Sequence, residues 1–400
     1  MEKKKFSLGL LPRILLAIIL GVAVGMFLPS EIVRVFVTFN SIFGNFLNFL
    51  IPLIIVGLIT PGISELGKAA GKWLAVTALI AYGSTIFAGF MAFGSSMAVL
   101  PRLLSGKHIQ AVDNPEDSML QPYFTIEMPP LLSVMTALVL AFVVGVGITR
   151  IKSDALFKGF VELRDIVIAV IEKIIIPLLP LYIFGIFLNM TNSGQAFEVI
   201  VTFLGVVVFV FILTVILLLI QYGVAGIVSH KNPLKMLKTM LPAYMTALGT
   251  SSSAATIPVT LRQARKMGVS EAVSAFTIPL FATIHLAGST VKITSFAIAV
   301  IMLSGGMISP HLMVGFILML GITMVAAPGV PGGAIMTAAG LLASMLGFNE
   351  AQVGLMIATY IAIDSFGTAT NVTGDGALSI ITDVLVARSE RKKAKEQQTS

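Results

Sequence analysis

The sequence predicts an all-α polytopic membrane protein with about eight spans and two re-entrant hairpins. Three observations carry that reading. The 400 residues are 56% hydrophobic and 11% charged, with a mean hydropathy of +0.99, whereas soluble chains carry about 25% charged residues. Apolar runs long enough to cross a bilayer recur along the chain without the period-two alternation of a barrel strand. Basic residues cluster in the short segments between runs, as cytoplasmic loops require. Cysteine is absent, so disulfides and thiolate metal sites are excluded. The net charge of +7 is spread over loops and ends and does not imply nucleic acid.

The runs lie near 10–28, 34–60, 73–100, 131–150, 160–188 and 196–229. The first, preceded by Met1 to Lys5, has the shape of a signal sequence but lacks a small-residue cleavage site, and reads as a retained span. Lys3–Lys5, Lys68 with Lys72, Arg150 with Lys152 and Lys158, and Lys231 with Lys235 and Lys238 all fall inside. The acidic stretch 113–117 and Asn192–Gln195 fall outside. Both termini are then cytoplasmic and the protein is multi-pass in the cell (inner) membrane, with the lipid bilayer as its solvent.

Beyond residue 238 the pattern changes. The apolar segment 239–258 has basic residues on both flanks, and its middle reads Gly249-Thr-Ser-Ser-Ser-Ala-Ala-Thr-Ile-Pro. Consecutive hydroxyls followed by proline do not suit a regular lipid-facing helix. A hairpin that enters from the cytoplasm, turns at the serines and returns resolves the charge conflict. Segment 309–348 does the same from the other side around Ala327-Pro-Gly-Val-Pro-Gly-Gly-Ala. Segments 270–303 and 351–387 then cross as broken spans. Ser252 to His285 is 33 residues (285 − 252) and Gly332 to Asn371 is 39 (371 − 332). Two such units of opposite insertion are the mark of an inverted-repeat carrier with a midplane site. The tail Lys392–Ser400 reads as a solvated, mobile end.

Within the last span, Asp364, Thr368, Asn371 and Asp375 recur at 4, 3 and 4 residues and share one helical face. A charged group inside a bilayer costs about 2.5–3.5 kcal/mol even on the mildest scale. Two carboxylates on one stripe therefore mark a site or its lining. Gly367, Gly374 and Gly376 are expected to loosen the helix there.

The chain resembles the dicarboxylate/amino acid:cation symporters, the glutamate-transporter homologues, which include neutral amino acid and serine–threonine carriers. Residues 249–260 resemble the serine-rich first tip. Gly329-Val-Pro-Gly-Gly-Ala-Ile-Met resembles the second, one residue short. Asn371-Val-Thr-Gly-Asp375 is the last-span motif unchanged. The resemblance implies a homotrimer that works as an elevator. Residues 1–70 and 101–195 would supply a static scaffold (spans one, two, four and five, with the outer loop). Residues 71–100 and 196–388 would form the moving transport domain, with 389–400 as a tail. Thr250, Ser251, Ser252 and Ser253 would hold a substrate carboxylate, joined by Asn371. Asp364 would take the substrate ammonium, with Thr368 one turn on. Val330 to Gly333 would cover the site, and Asp375 would bind sodium. The substrate would be a small amino acid, the coupling cation sodium or a proton, and no cofactor is required.

The departures concern the cation sites. The Asn-Met-Asp-Gly-Thr usual in the seventh span is here His285-Leu-Ala-Gly-Ser289, so two oxygen ligands are gone, and sodium prefers hard oxygen donors. Met324 and Ala327 stand where hydroxyls are common. Ser84 and Thr85, with Tyr82 nearby, keep hydroxyls near the remaining site. Lys292 lies seven residues after His285 on the same face. Either Lys292, His285 or both replace bound cations beside Asp375, or Lys292 snorkels to the interface. Acidic-substrate members carry an arginine where this chain has Gly367 or Thr250, so a neutral amino acid is favoured over glutamate or aspartate. Two rivals remain: an uncoupled facilitator, and a hydrolase using Ser251–Ser253 with His285 and an aspartate, which lacks a Gly-x-Ser-x-Gly elbow.

Overall fold

Apolar runs with no water to bond their backbone must close hydrogen bonds within the segment, and the chain does so as helices. The structure is a computed structural model that describes residues 10–68, 72–104, 120–194, 196–325, 327 and 332–399. The first half holds α1 (Leu10–Gly25), α2 (Ser30–Lys68), α3 (Lys72–Leu103), α4 (Val134–Arg150), α5 (Ala155–Val170), α6 (Ile176–Asn192) and α7 (Ala196–Ser229). A single π-helical turn, Ile171–Ile175, joins α5 to α6 without ending the span. Among the described residues five helical stretches are long and apolar enough to cross a membrane, and a sixth if one bent pair counts as a single span. The protein is an all-helical, multi-span membrane protein. The acidic stretch 113–117 lies outside the described residues.

Among the described residues, the second half alternates helix pairs with broken helices. Helices α8 (Pro233–Thr250) and α9 (Ser253–Lys266) meet at a two-residue turn and pack on each other. Asn232 and Pro233 start α8, with the Asn232 side chain accepting from the Lys235 N–H. Ser252 caps α9 by accepting from the Ala255 N–H. Ser251 between them is left-handed, φ 49° and ψ 27°. Next come α10 (Glu271–Ile284) and α11 (Ala287–Leu303), broken at His285–Leu286. The pattern repeats with α12 (Pro310–Val325), α13 (Gly333–Leu346), α14 (Glu350–Ala362) and α15 (Asp364–Thr399). Asn349 and Gln352 form a reciprocal capping box at the start of α14.

The second break corrects the expected position. It falls at Ile363, where α14 and α15 bend by 63°, and not at Gly367–Gly376, through which α15 runs unbroken. The spacing from tip to break becomes 31 residues (363 − 332), closer to the 33 of the first unit. The glycines permit close approach instead. A Cβ at Gly374 would sit 2.6 Å from Gln221 Oε1, and one at Gly376 would sit 2.9 Å from the Tyr222 hydroxyl. Helix α15 also continues to Thr399, where a solvated tail was expected.

Packing sorts the helices into two groups. Helix α2 packs on α4, α5 and α6, and α1 on α6. Helix α3 packs with α10, α11, α12 and α15, and α7 with α8, α11 and α15, while α13 leans on α2 and α14 on α1 and α6 as well as on their own neighbours. Ala369, Val372, Ala377 and Ile380 of α15 form one apolar cluster with Met240, Ala243 and Ala247 of α8 and with Ala264 of α9. The first helical hairpin is thereby seated on the helix that begins with Asp364.

The left-handed residue at the first tip gives a direct test. An L-residue there costs roughly 1–2 kcal/mol, and β-branching adds to it. Ser251→Val is expected to lower the unfolding midpoint of the purified protein, while Ser251→Gly leaves it unchanged or higher; detergent melts compare the two.

Candidate functional site: two buried ion pairs at the helix breaks

Two acids, one lysine and one histidine are buried among the described residues: Asp364, Asp375, Lys292 and His285. The chain folds so that they meet pairwise. Lys292 Nζ lies 3.2 Å from Asp364 Oδ1. His285 Nδ1 lies 2.8 Å from Asp375 Oδ1. Unpaired, each would be an expensive buried charge.

The first pair sits where α14 gives way to α15. Asp364 opens α15, where a carboxylate meets the positive helix end. Its second oxygen accepts from the Gly332 N–H at 2.8 Å. Gly332 precedes α13 with φ 75°, so glycine is needed for that N–H to point at the carboxylate. The Lys292 ammonium also reaches the Ile363 carbonyl at 3.4 Å and sits 3.6 Å from the centre of the Tyr360 ring. Its stem passes over Gly367, where a Cβ would collide with Cε and Nζ. The Gly367 gap, read from sequence as the empty place of an arginine, is filled by Lys292. This corrects the expected partner as well: Lys292 is fully buried and pairs with Asp364, not Asp375. It does not snorkel.

The second pair sits at the break of α10 and α11. A hydrogen-bonded chain runs through it. The Gln221 amide donates to Ser84 Oγ at 3.0 Å, Ser84 lies 3.1 Å from His285 Nε2, and His285 Nδ1 meets Asp375. Phe281 packs edge-on against the imidazole. Asp375 Oδ2 and Gln221 Oε1 are buried without a partner. The imidazole Nδ1 thus faces Asp375 Oδ1 where the resemblance implies a bound cation. The Ser84–His285–Asp375 order has the outline of a catalytic triad. It involves none of the tip serines, and Ser84 Oγ is itself held by Gln221.

Asn371 links the two breaks. Its amide oxygen accepts from the N–H groups of Gly288 and Ser289 at 2.8 and 3.3 Å, satisfying orphan donors at the start of α11. Its amide nitrogen donates to Ser289 Oγ at 3.1 Å, which also accepts from the Tyr360 hydroxyl at 2.8 Å.

The remaining expected residues are placed unevenly. Thr368 and Ser253 are buried, Ser251 and Ser252 half-buried and Thr250 exposed. The Thr250 hydroxyl donates back to the Thr246 carbonyl, and Thr85 returns its hydroxyl to Ala81. Gly333 starts α13, and Val330 lies outside the described residues. Sequence reading missed Gln221 and Tyr360, and named Gly332 only as a tip residue within the cover from Val330 to Gly333. Gln221 carried a signal, as the one amide side chain in the apolar helix α7.

Helices broken at buried charges, with turns between paired half-helices, define a membrane carrier architecture. The chain belongs to the sodium:dicarboxylate symporter family, whose model matches residues 10–385. It is similar to the serine/threonine transporter SstT of Acinetobacter baumannii (strain AYE), at 26% identity over 397 residues, covering 94% of this chain and 97% of that one. It is also similar to excitatory amino acid transporter 2 of Mus musculus and of Homo sapiens, each 27% identical over 246 residues, covering 59% of this chain and 42% of the relative. The protein is a transporter and not an enzyme.

The Gly367–Lys292 contact predicts strain on substitution. Gly367→Ala is expected to destabilise by about 1–3 kcal/mol, the usual cost of overpacking. The same change made together with Lys292→Ala and Asp364→Asn should cost markedly less. Melting midpoints of the purified variants measure this coupling.

Proposed function

We propose that this protein is a secondary active carrier for a small carboxylate-bearing solute, working without bound sodium at Asp375. The observation that carries the reading is the buried His285–Asp375 pair, an imidazole set against the carboxylate where the family resemblance puts an ion. An imidazole changes charge between about pH 5 and 8 when unperturbed. Coupling to protons, or exchange with no net coupling, then replaces sodium coupling. His285 faces Asp375, Ser84, Gln221 and Phe281, so the carboxylate is the one charged group in contact with it among its described partners.

Eight spans and two re-entrant hairpins with both ends cytoplasmic are supported by the alternation of basic loops and by the two repeated helical units. An elevator in a homotrimer is supported by family membership and by the two packing groups, of which α1, α2 and α4–α6 would be the static one. The hairpin turn Thr250–Ser253 and the start of α13 at Gly333 would meet the solute carboxylate through backbone N–H groups. Thr368 and Asn371 would line the place. The lack of arginine at Gly367 and Thr250, and the likeness to a serine/threonine transporter, favour one carboxylate over two, with a neutral amino acid as the first candidate.

The test is uptake into proteoliposomes under imposed gradients. Uptake is expected to ignore a sodium gradient and to respond to a pH gradient or to internal solute. His285→Ala, which strands Asp375, should cut it by about tenfold or more, given that losing one partner of a buried pair costs several kcal/mol. Strong sodium dependence that survives His285→Ala would remove the proposal.

A further inference from the structure

We infer that Lys292 is a built-in ammonium and that the transported solute is a small organic carboxylate without an amino group. The inference rests on the carrier reading above and, on the strength of the buried pairs, puts an acid without an amine in place of the neutral amino acid that likeness alone favours. Asp364 and Asp375 are the only buried acids among the described residues. An amino acid entering a dry site needs one of them for its ammonium. Neither stands alone. Asp375 has His285 Nδ1 on one oxygen at 2.8 Å. Its second oxygen has no partner among the described residues, but it lies eleven residues (375 − 364) beyond Asp364 on α15, about 16 Å along the helix. Asp364 spends one oxygen on Lys292 and the other on the Gly332 N–H.

The Lys292 ammonium is not a loosely placed neighbour. It is fully buried and directed by three groups at one helix junction: the Asp364 carboxylate, the Ile363 carbonyl and the Tyr360 ring. Gly367 lacks the side chain that would block its path. Bringing a second ammonium to Asp364 would set two cations on one carboxylate and leave an uncompensated positive charge in the core. Rotating Lys292 away first would expose the same charge to the apolar wall formed by Val207, Val210 and Phe211. A solute with a carboxylate and no amine avoids both costs. Its ammonium is already supplied by the protein.

The experiment uses the full-length protein in proteoliposomes with two matched pairs of probes, L-lactate against L-alanine and glycerate against L-serine. Each acid differs from its partner by hydroxyl in place of amine. Competition against the acid is expected to favour the acids by at least about tenfold, a margin of 1.4 kcal/mol. Lys292→Met should reverse the preference. Because that variant strands Asp364, the paired Lys292→Met, Asp364→Asn variant is measured with it, and there the preference should vanish. Preference of the unaltered protein for the amino acids, or the same preference in all three proteins, overturns the inference and leaves the carrier reading standing. Transport of none of the four probes, in protein shown folded by its melting transition, would overturn both.

Discussion

Burying an ionised group where neither water nor lipid can answer its charge is the constraint around which this molecule is built. Two buried carboxylates pose that problem, and the chain answers one with Lys292 and the other with His285. The breaks in α10–α11 and α14–α15 exist where those groups sit. An interrupted helix exposes backbone donors and acceptors, and the charged pairs and Asn371 take them up: Ile363 O accepts from Lys292, Gly288 and Ser289 donate to Asn371, and Gly332 donates to Asp364. Polar backbone at membrane depth is tolerated because protein covers it.

On the reading proposed above, the oxygen ligands that the resemblance expects around mobile sodium would give way to charges that cannot leave. A bound ion can be released on the far side of a membrane and so carries the energy of its gradient. A lysine or histidine moves with the protein. It stabilises the carboxylate equally in both orientations and transmits no gradient, save through a proton that it can gain or lose. The two pairs differ in this respect. Lys292 is enclosed by its three partners, whereas His285 ends a chain of hydrogen bonds that begins with an amide and a hydroxyl able to reorient.

Much of this was legible in the residues, and the failures were geometric. Hydropathy gave the helices, and flanking charges with the serine run gave the turn between α8 and α9, since these features are local. The polar stripe Asp364–Asp375 announced a site because carboxylates in lipid are costly. Sequence also singled out Lys292 and His285 but assigned both to Asp375. A seven-residue spacing says that two side chains share a face; it does not say which carboxylate lies opposite each. The break at Ile363 was missed because glycine was taken as a helix breaker, whereas Gly367, Gly374 and Gly376 make room for Lys292, Gln221 and Tyr222. Nothing in the order of residues marks Ile363 itself.

Asn371 has one more implication. Its amide, carried on α15, terminates α11, and Lys292, carried on α11, terminates at the α14–α15 junction. The two broken helices are cross-stitched at separate points, so sliding one along the other would tear both seams at once. Whatever displacement ferries solute must carry this pair as a single block. The compliance has to lie elsewhere, at its outer face, where α8 and α9 lean on it through apolar side chains and α13 is tied to it by the Gly332 N–H.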